Sequence, residues 1–78
     1  MIALICQRIQ DGFSYFPRKD ILEINISMGK IKLNDGRDII IVTRQEDIQG
    51  REFSDVIVHN YDGPSNLILE SESRIRKQ

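Results

Sequence analysis

The sequence predicts a small α+β domain, in which a mixed or antiparallel sheet of about five strands carries one or two short helices, including a C-terminal helix. Two observations predict it. Short segments of apolar residues, alternating or unbroken, are separated by turn residues, and a segment with helical spacing closes the chain. The 78 residues are expected to form one small domain, residues 1–78, with residues 73–78 frayed. With 40% hydrophobic residues and 29% charged residues, the composition excludes a disordered tail.

Two unbroken apolar runs predict strands. Ile2 to Cys6 is typical of a strand covered on both faces, and Val56 to Val58 is a second, shorter run of the same kind. Residues 7–16, after the first run, leave two interpretations open. Helical spacing indicates a short amphipathic helix, through Ile9, Phe13 and Phe16. The Asp11-Gly12 pair among them is instead typical of a hairpin turn.

The stretch from 21 to 43 predicts three successive antiparallel strands. Polar residues in the first strand alternate with an apolar set that should lie against a core, namely Leu22, Ile24, Ile26 and Met28. A turn at Asn34-Asp35-Gly36 separates the second strand from the third. The third strand, Ile39 to Val42, is β-branched and is expected to be central.

The segment beyond Pro64 predicts the final helix. Leu67, Ile68 and Ile75 give this helix a short apolar stripe. Two acidic residues precede basic ones by four positions, which predicts ion pairs Glu70–Arg74 and Glu72–Arg76.

Charge and reactive side chains exclude several function classes. Eleven Lys and Arg stand against twelve Asp and Glu, so the chain is not a basic nucleic-acid arm. A single cysteine, Cys6, excludes an internal disulfide framework and a cysteine-based zinc site, and it is expected to be a buried thiol. The apolar opening stops after six residues, too few for a secretory signal or a membrane span. We therefore expect a cytoplasmic location and no membrane partner.

A block from Gly29 to Asn60 has a specific order of elements. A hairpin with Asn34-Asp35-Gly36 at its turn leads through a β-branched strand and a loop containing Gly50 to the run Val56 to Val58. This order resembles the middle of the ATPase domain of phage large terminase subunits, the DNA-packaging motors. The resemblance implies that Val56 to Val58 corresponds to the Walker B strand of that family.

The catalytic motifs of the terminase family are missing from this block. The Walker B strand of the family ends in two carboxylates, which position magnesium and activate water, whereas His59 and Asn60 stand at these places here. A neutral imidazole and an amide do not replace two anionic oxygens for Mg²⁺. The phosphate-binding pattern G-x-x-x-x-G-K-[ST] also does not occur in the sequence. The resemblance therefore implies a terminase-like segment without ATPase chemistry.

Three sets of residues are candidates for function, and none is predicted to be catalytic, cofactor-binding or metal-binding. An aromatic cluster could bind a protein partner or belong to the core: Phe13, Tyr15 and Phe16. The end of the last strand could carry polar function: His59, Asn60 and Asp62. A basic set could contact nucleic acid if its members converge: Lys30, Lys32, Arg74, Arg76 and Lys77.

An acid–base role for His59 would need a carboxylate beside it, and Asp55 and Asp62 are the nearest candidates in the sequence. Three other carboxylate pairs are interpreted as turn or solvated residues rather than as metal ligands. These pairs are Asp35 with Asp38, Glu46 with Asp47, and Glu52 with Asp55.

The sequence favours a small non-catalytic protein-interaction module, which binds another protein or itself, over an enzyme that uses His59 and an aspartate. A homo-oligomer is expected, because a chain this small has little core and because sheet edges are left unpaired. The resemblance implies that this module is a phage-encoded accessory or inhibitory protein. The alternative function is a nucleic-acid-processing, DNA-packaging component that acts only with other subunits. No cofactor is expected.

Overall fold

A single five-stranded mixed sheet, flanked by two α-helices, forms the framework of the computed structural model, which describes residues 1–76. The sheet order is β2-β3-β4-β1-β5. The strands are β1 (Ile2–Ile5), β2 (Ile21–Asn25), β3 (Lys30–Leu33), β4 (Asp38–Val42) and β5 (Asp55–Val58). The helices are α1 (Ile9–Phe13) and α2 (Ser65–Ser73). The predicted small α+β fold with a C-terminal helix is confirmed.

The sheet has a parallel half and an antiparallel half. Strand β1 lies between β4 and β5 and pairs with both in parallel. Strands β2, β3 and β4 form the predicted antiparallel meander. Short turns suffice inside the meander, whereas each parallel neighbour of β1 requires a longer crossover. One crossover contains α1, and the other contains a 3-10 turn at Gln45–Ile48.

Each face of the sheet has its own core. On the first, which we call the α1 face, the buried residues include Leu4, Ile31, Ile39 and Ile41, with Phe13 packed against them. On the opposite α2 face, the core consists of Ala3, Ile5, Ile40, Val42, Ile48, Phe53 and Leu67. The unbroken apolar sequence of β1 follows from this arrangement, since all four of its residues are buried.

Residues 7–16 contain a helix, so the hairpin interpretation of Asp11-Gly12 is wrong. Helix α1 lies so close to β4 that a Cβ atom on Gly12 would stand 2.7 Å from Cγ1 of Ile41. The glycine therefore permits close helix–sheet contact rather than a turn.

The prediction that the alternating apolar residues of β2 face a core is wrong. Leu22 is 62% exposed, Ile24 42%, Ile26 74% and Met28 53%. Strand β2 is an edge of the sheet, and α1 has only five residues and packs against β4. The strand also ends at Asn25, and the Gly29 N–H donates to the Ile26 carbonyl in the following turn, at 3.2 Å.

The C-terminal ion pairs are confirmed in one case of two. Arg74 Nη2 lies 3.4 Å from Glu70 Oε1, as predicted. The Glu72–Arg76 pair is wrong, because α2 ends at Ser73 and Arg76 Nε lies 4.0 Å from Glu52 Oε2 instead. Hydrogen bonds join Arg74 and Arg76 to the Phe53 backbone. The fraying predicted for residues 73–78 includes 77 and 78, which lie outside the described residues.

None of the helices within residues 1–76 is long and apolar enough to cross a membrane.

Candidate interaction surface

The predicted polar strand end lies beside the end of the central strand. The His59 N–H donates to the Ile5 carbonyl at 2.9 Å, and the Gln7 N–H donates to the Asn60 carbonyl at 3.0 Å. The Asp62 N–H donates to Gln7 Oε1 at 3.2 Å. These hydrogen bonds join the segments that follow β1 and β5. They lie at the carboxyl ends of the parallel strands, where open parallel sheets often place functional groups.

The structure brings this strand end together with part of the aromatic cluster. The ring of Tyr15 lies 4.8 Å from the ring of His59, at an interplanar angle of 64°. Tyr15 also contacts Phe16 edge to face, with ring centroids 4.9 Å apart. Phe13 and Phe16 pack partly against the core of the α1 face, while Tyr15 is exposed. Phe13 and Phe16 therefore belong in part to the core, whereas Tyr15 is accessible to a partner.

His59 has an aromatic neighbour rather than a carboxylate partner. Asp55 begins β5 and His59 follows its end, so the two are separated by about 13 Å at roughly 3.3 Å per residue. In the described part of the chain, no ion pair joins Asp62 or any other carboxylate to His59. The partnership considered from sequence is not formed.

In each of the three carboxylate pairs considered from sequence, one aspartate accepts a hydrogen bond from a nearby backbone N–H: Asp35, Asp47 and Asp55. Asp35 accepts hydrogen bonds from the backbone N–H and the Nε of Arg37, and these bonds lower the pKa of its carboxyl. Asp47 accepts from the backbone N–H groups of Thr43 and Arg44, and so caps the 3-10 turn. Among residues 1–76, no group of three or more His, Cys, Asp or Glu side chains could hold a metal ion.

Cys6 is a fully buried thiol on the α1 face, as predicted. Burial, with a smaller contribution from the charge of Asp11, raises the pKa of the thiol to about 11. A thiol that is both buried and neutral is a poor nucleophile.

The basic residues do not form one patch. Lys32 faces Glu23 on one side and Asp38 on the other in the strand registers, so its charge is flanked by carboxylates. Arg74 is bound to Glu70 and Arg76 lies near Glu52. Lys77 lies outside the described residues. Lys30 remains on the same hairpin as Lys32, and faces Asn25 and Ile40.

Four of the exposed large apolar residues lie on and after the edge strand β2. We call these residues the β2 strip: Leu22, Ile24, Ile26 and Met28. Ile24 is in register with the buried Ile31, so it belongs to the α1 face. Next to it lies a groove of about 450 Å³ between α1 and β2, whose apolar lining includes Phe13, Phe16, Ile21 and Ile24. Exposed apolar surface of this kind is typical of an interaction site.

The sequence predicts the aromatic side of this surface as a candidate but not the β2 strip, because the alternation of these residues indicates a strand face that lies against a core. The length of the helix available to cover this face of the sheet could have indicated that the strip is exposed. A helix between Gln7 and Pro17 rises about 1.5 Å per residue and cannot extend over a whole five-stranded sheet.

Searches against protein-family models, curated proteins and solved structures give no match to this chain.

Proposed function

We propose that this protein is a small, non-catalytic protein-interaction module of the cytoplasm, which binds its partner through the β2 strip and the adjoining edge of the sheet. One observation carries the proposal. The large apolar residues of an unpaired edge strand are exposed rather than buried, beside a groove lined by aromatic rings. An edge of this kind offers backbone hydrogen bonds and apolar contacts together, and proteins use both when they add a strand to a sheet.

The placement of the reactive groups supports a binding role over an enzymatic one. His59 packs on Tyr15, and Cys6 is buried with a raised pKa. The resemblance of residues 29–60 to a terminase ATPase segment, with His59 and Asn60 in place of the carboxylates, supports a phage-encoded accessory or inhibitory protein as the setting.

The test is affinity capture with a matched pair of variants. Tagged wild-type protein, the variant Leu22→Lys and the variant Leu69→Lys are used to capture proteins from a lysate of the source organism or its host. Leu22 and Leu69 are exposed to a similar degree, 62% and 65%, but Leu69 lies on α2, away from the strip. We expect a stoichiometric protein partner with wild type and with Leu69→Lys, and its loss with Leu22→Lys.

Nuclease treatment separates the alternative function from this one. A partner that survives nuclease and depends on Leu22 supports the interaction module, whether that partner is a different protein or untagged copies of this chain. Partners that disappear after nuclease treatment, with equal capture by both variants, would instead indicate a DNA-packaging component. Equal capture by all three proteins without nuclease sensitivity would contradict the role of the β2 strip.

A further inference from the structure

We infer that the groove between α1 and β2 binds a segment of a partner protein in which a large apolar side chain is followed by an acidic residue. The inference rests on the proposed binding role of this side of the sheet and names the chemistry of the partner. The apolar side chain would lie against the aromatic wall of the groove, and the carboxylate would pair with Arg18.

The apolar wall of this groove, which we call the α1–β2 groove, is held in place by the fold. Phe13, Phe16 and Ile21 pack partly against the core of the α1 face, and Ile24 is 42% exposed. The volume of about 450 Å³ lies within the range of about 300 to 1,000 Å³ that is typical of ligand sites. Because the core already orders the two rings, an apolar side chain that enters the groove gains contact area at a small cost in ordering.

The charge of the groove has one sign. The described residues that line it are four apolar residues, two neutral polar residues and Arg18. Arg18 is exposed, and none of the ion pairs within residues 1–76 includes it. A guanidinium presents a planar fork of N–H donors that matches the geometry of a carboxylate. The groove therefore favours an acidic side chain next to the apolar one.

Other grooves on the described surface do not have this combination. Arg37 lines a groove with Asp35, and its Nε lies 2.7 Å from Oδ2 of that aspartate. Arg44 lines a groove with Asp47, and its Nε lies 3.1 Å from Oε2 of Glu46. In both grooves, the arginine already has a carboxylate of this chain beside it. In the α1–β2 groove, that position is left for a carboxylate of the partner.

Short peptides with blocked termini test this chemistry before the partner is identified. The first peptide, GLFDG, carries two apolar residues followed by an acid. The second, GLFKG, replaces the acid with lysine, and the third, GGGDG, lacks the apolar residues. Each peptide is titrated into the full ¹⁵N-labelled chain, and the chemical shifts of the backbone amides locate the binding site and measure the affinity.

We expect GLFDG to shift the amides of α1 and β2 and to bind about five-fold more tightly than GLFKG. Arg18→Glu should reverse this preference, whereas Lys19→Glu, a charge change beside the groove but outside its lining, should retain it. GGGDG should give no saturable shift, because an exposed ion pair alone is weak. Ile24→Ala should weaken the binding of GLFDG about three-fold through lost apolar contact, and Leu69→Ala should not. Circular dichroism checks the folding of each variant.

Several results would overturn the inference. Equal binding of GLFDG and GLFKG, or a preference that survives Arg18→Glu, would exclude the pairing of an acid with Arg18. Shifts confined to other elements, or no saturable shift with GLFDG up to millimolar concentration, would exclude the groove as the peptide site. Saturable binding of octanoate in the groove without binding of GLFDG would indicate a fatty acid. Groove amides that shift with the concentration of the chain alone would indicate a second copy.

The inference and the proposed function fail separately. The proposed function stands after any of these results if capture of a partner still depends on Leu22. It falls if wild type and Leu22→Lys capture the same partner equally, whichever peptide the groove binds.

Discussion

The two edge strands of this sheet, β5 and β2, differ in how far the rest of the chain covers them. The edge strand β5 is four residues long, and its core-facing residues are partly buried, Val56 on the α2 face and Ile57 on the α1 face. Helix α2 packs beside it. The Asp55 carboxylate accepts a hydrogen bond from the Val56 N–H at 2.8 Å. The opposite edge strand, β2, has exposed isoleucine and leucine side chains and no strand on its outer side.

The difference shows that a sheet edge in a small domain is protected by what lies over its faces as well as by strand length. Edge strands of monomeric proteins are commonly shortened, charged or covered. Strand β5 has these features, since it is short, begins with a carboxylate and is covered by a nine-residue helix. Strand β2 lies beyond the five-residue α1 and has one charged side chain, Glu23. A partner on β2 would supply the cover that the chain itself does not provide.

The largest expected effect lies on the protected side. Phe53 is fully buried on the α2 face, and its backbone is bonded to Arg74 and Arg76 after α2. Phe53→Ala should lower the free energy of unfolding by about 3–5 kcal/mol, because it leaves a large cavity. Urea denaturation in dilute solution measures this free energy. The control is Ile24→Ala at the exposed edge, which should lower the free energy of unfolding by less than about 1 kcal/mol. Similar losses for both would erase the distinction between the edges.

The next largest effect is expected in the rate at which a thiol reagent labels Cys6. Its pKa, raised from 9.0 to about 11, should slow labelling of the native chain by about 100-fold relative to the urea-unfolded chain at neutral pH. A raised thiol pKa favours the neutral form in the folded state. The stability it contributes is therefore complete below pH 9 and is lost as the pH rises towards about 11. Equal labelling rates for the native and unfolded chains would show that α1 does not keep the α1 face closed.

A smaller loss of stability is expected for a substitution where α1 contacts the sheet. Gly12→Ala would place a methyl group within 2.8 Å of three side-chain carbons of Ile41. Overpacking of this kind costs about 1–3 kcal/mol, which outweighs the gain of about 1 kcal/mol in helix propensity. Thermal denaturation measures the net loss, and Gln10→Ala, on the exposed side of the same helix, is the control. A more stable Gly12→Ala variant would mean that α1 does not approach β4 this closely.

The smallest effect should be found at the free edge itself. Leu22→Lys and Leu69→Lys should each change the free energy of unfolding of the dilute chain by no more than about 0.5 kcal/mol, because both side chains are already in water. Urea titration of the two variants beside wild type provides the measurement. A loss of several kcal/mol for Leu22→Lys alone would mean that Leu22 belongs to the core of the single chain.

Sequence patterns predicted the elements where the local signal and the tertiary packing agree. The run from Ile2 to Ile5 became a strand buried on both faces, and Asn34-Asp35-Gly36 became a turn in which Gly36 has a φ of 92°. The antiparallel meander is likewise local, because each of its strands pairs with the next one in the chain.

Features that depend on distant parts of the chain could not be predicted in the same way. The alternation of Leu22 and Ile24 with polar residues indicates which side chains share a face, but not whether anything covers that face. The meeting of Tyr15 with His59 depends on β5 crossing to the far side of β1, an arrangement that no local pattern specifies. The candidate surface was therefore found in part, through its aromatic residues, and its strand edge only from the structure.

Amide hydrogen exchange at the two edges, measured with and without the captured partner, tests the central claim most directly. Exchange reports local opening residue by residue, and a partner bound to β2 would slow it only where new hydrogen bonds form. We predict that the amides of β2 become protected when the partner is added, while the amides of β5 keep constant exchange rates. Exchange in β2 that does not change when the partner is added would contradict binding through this edge.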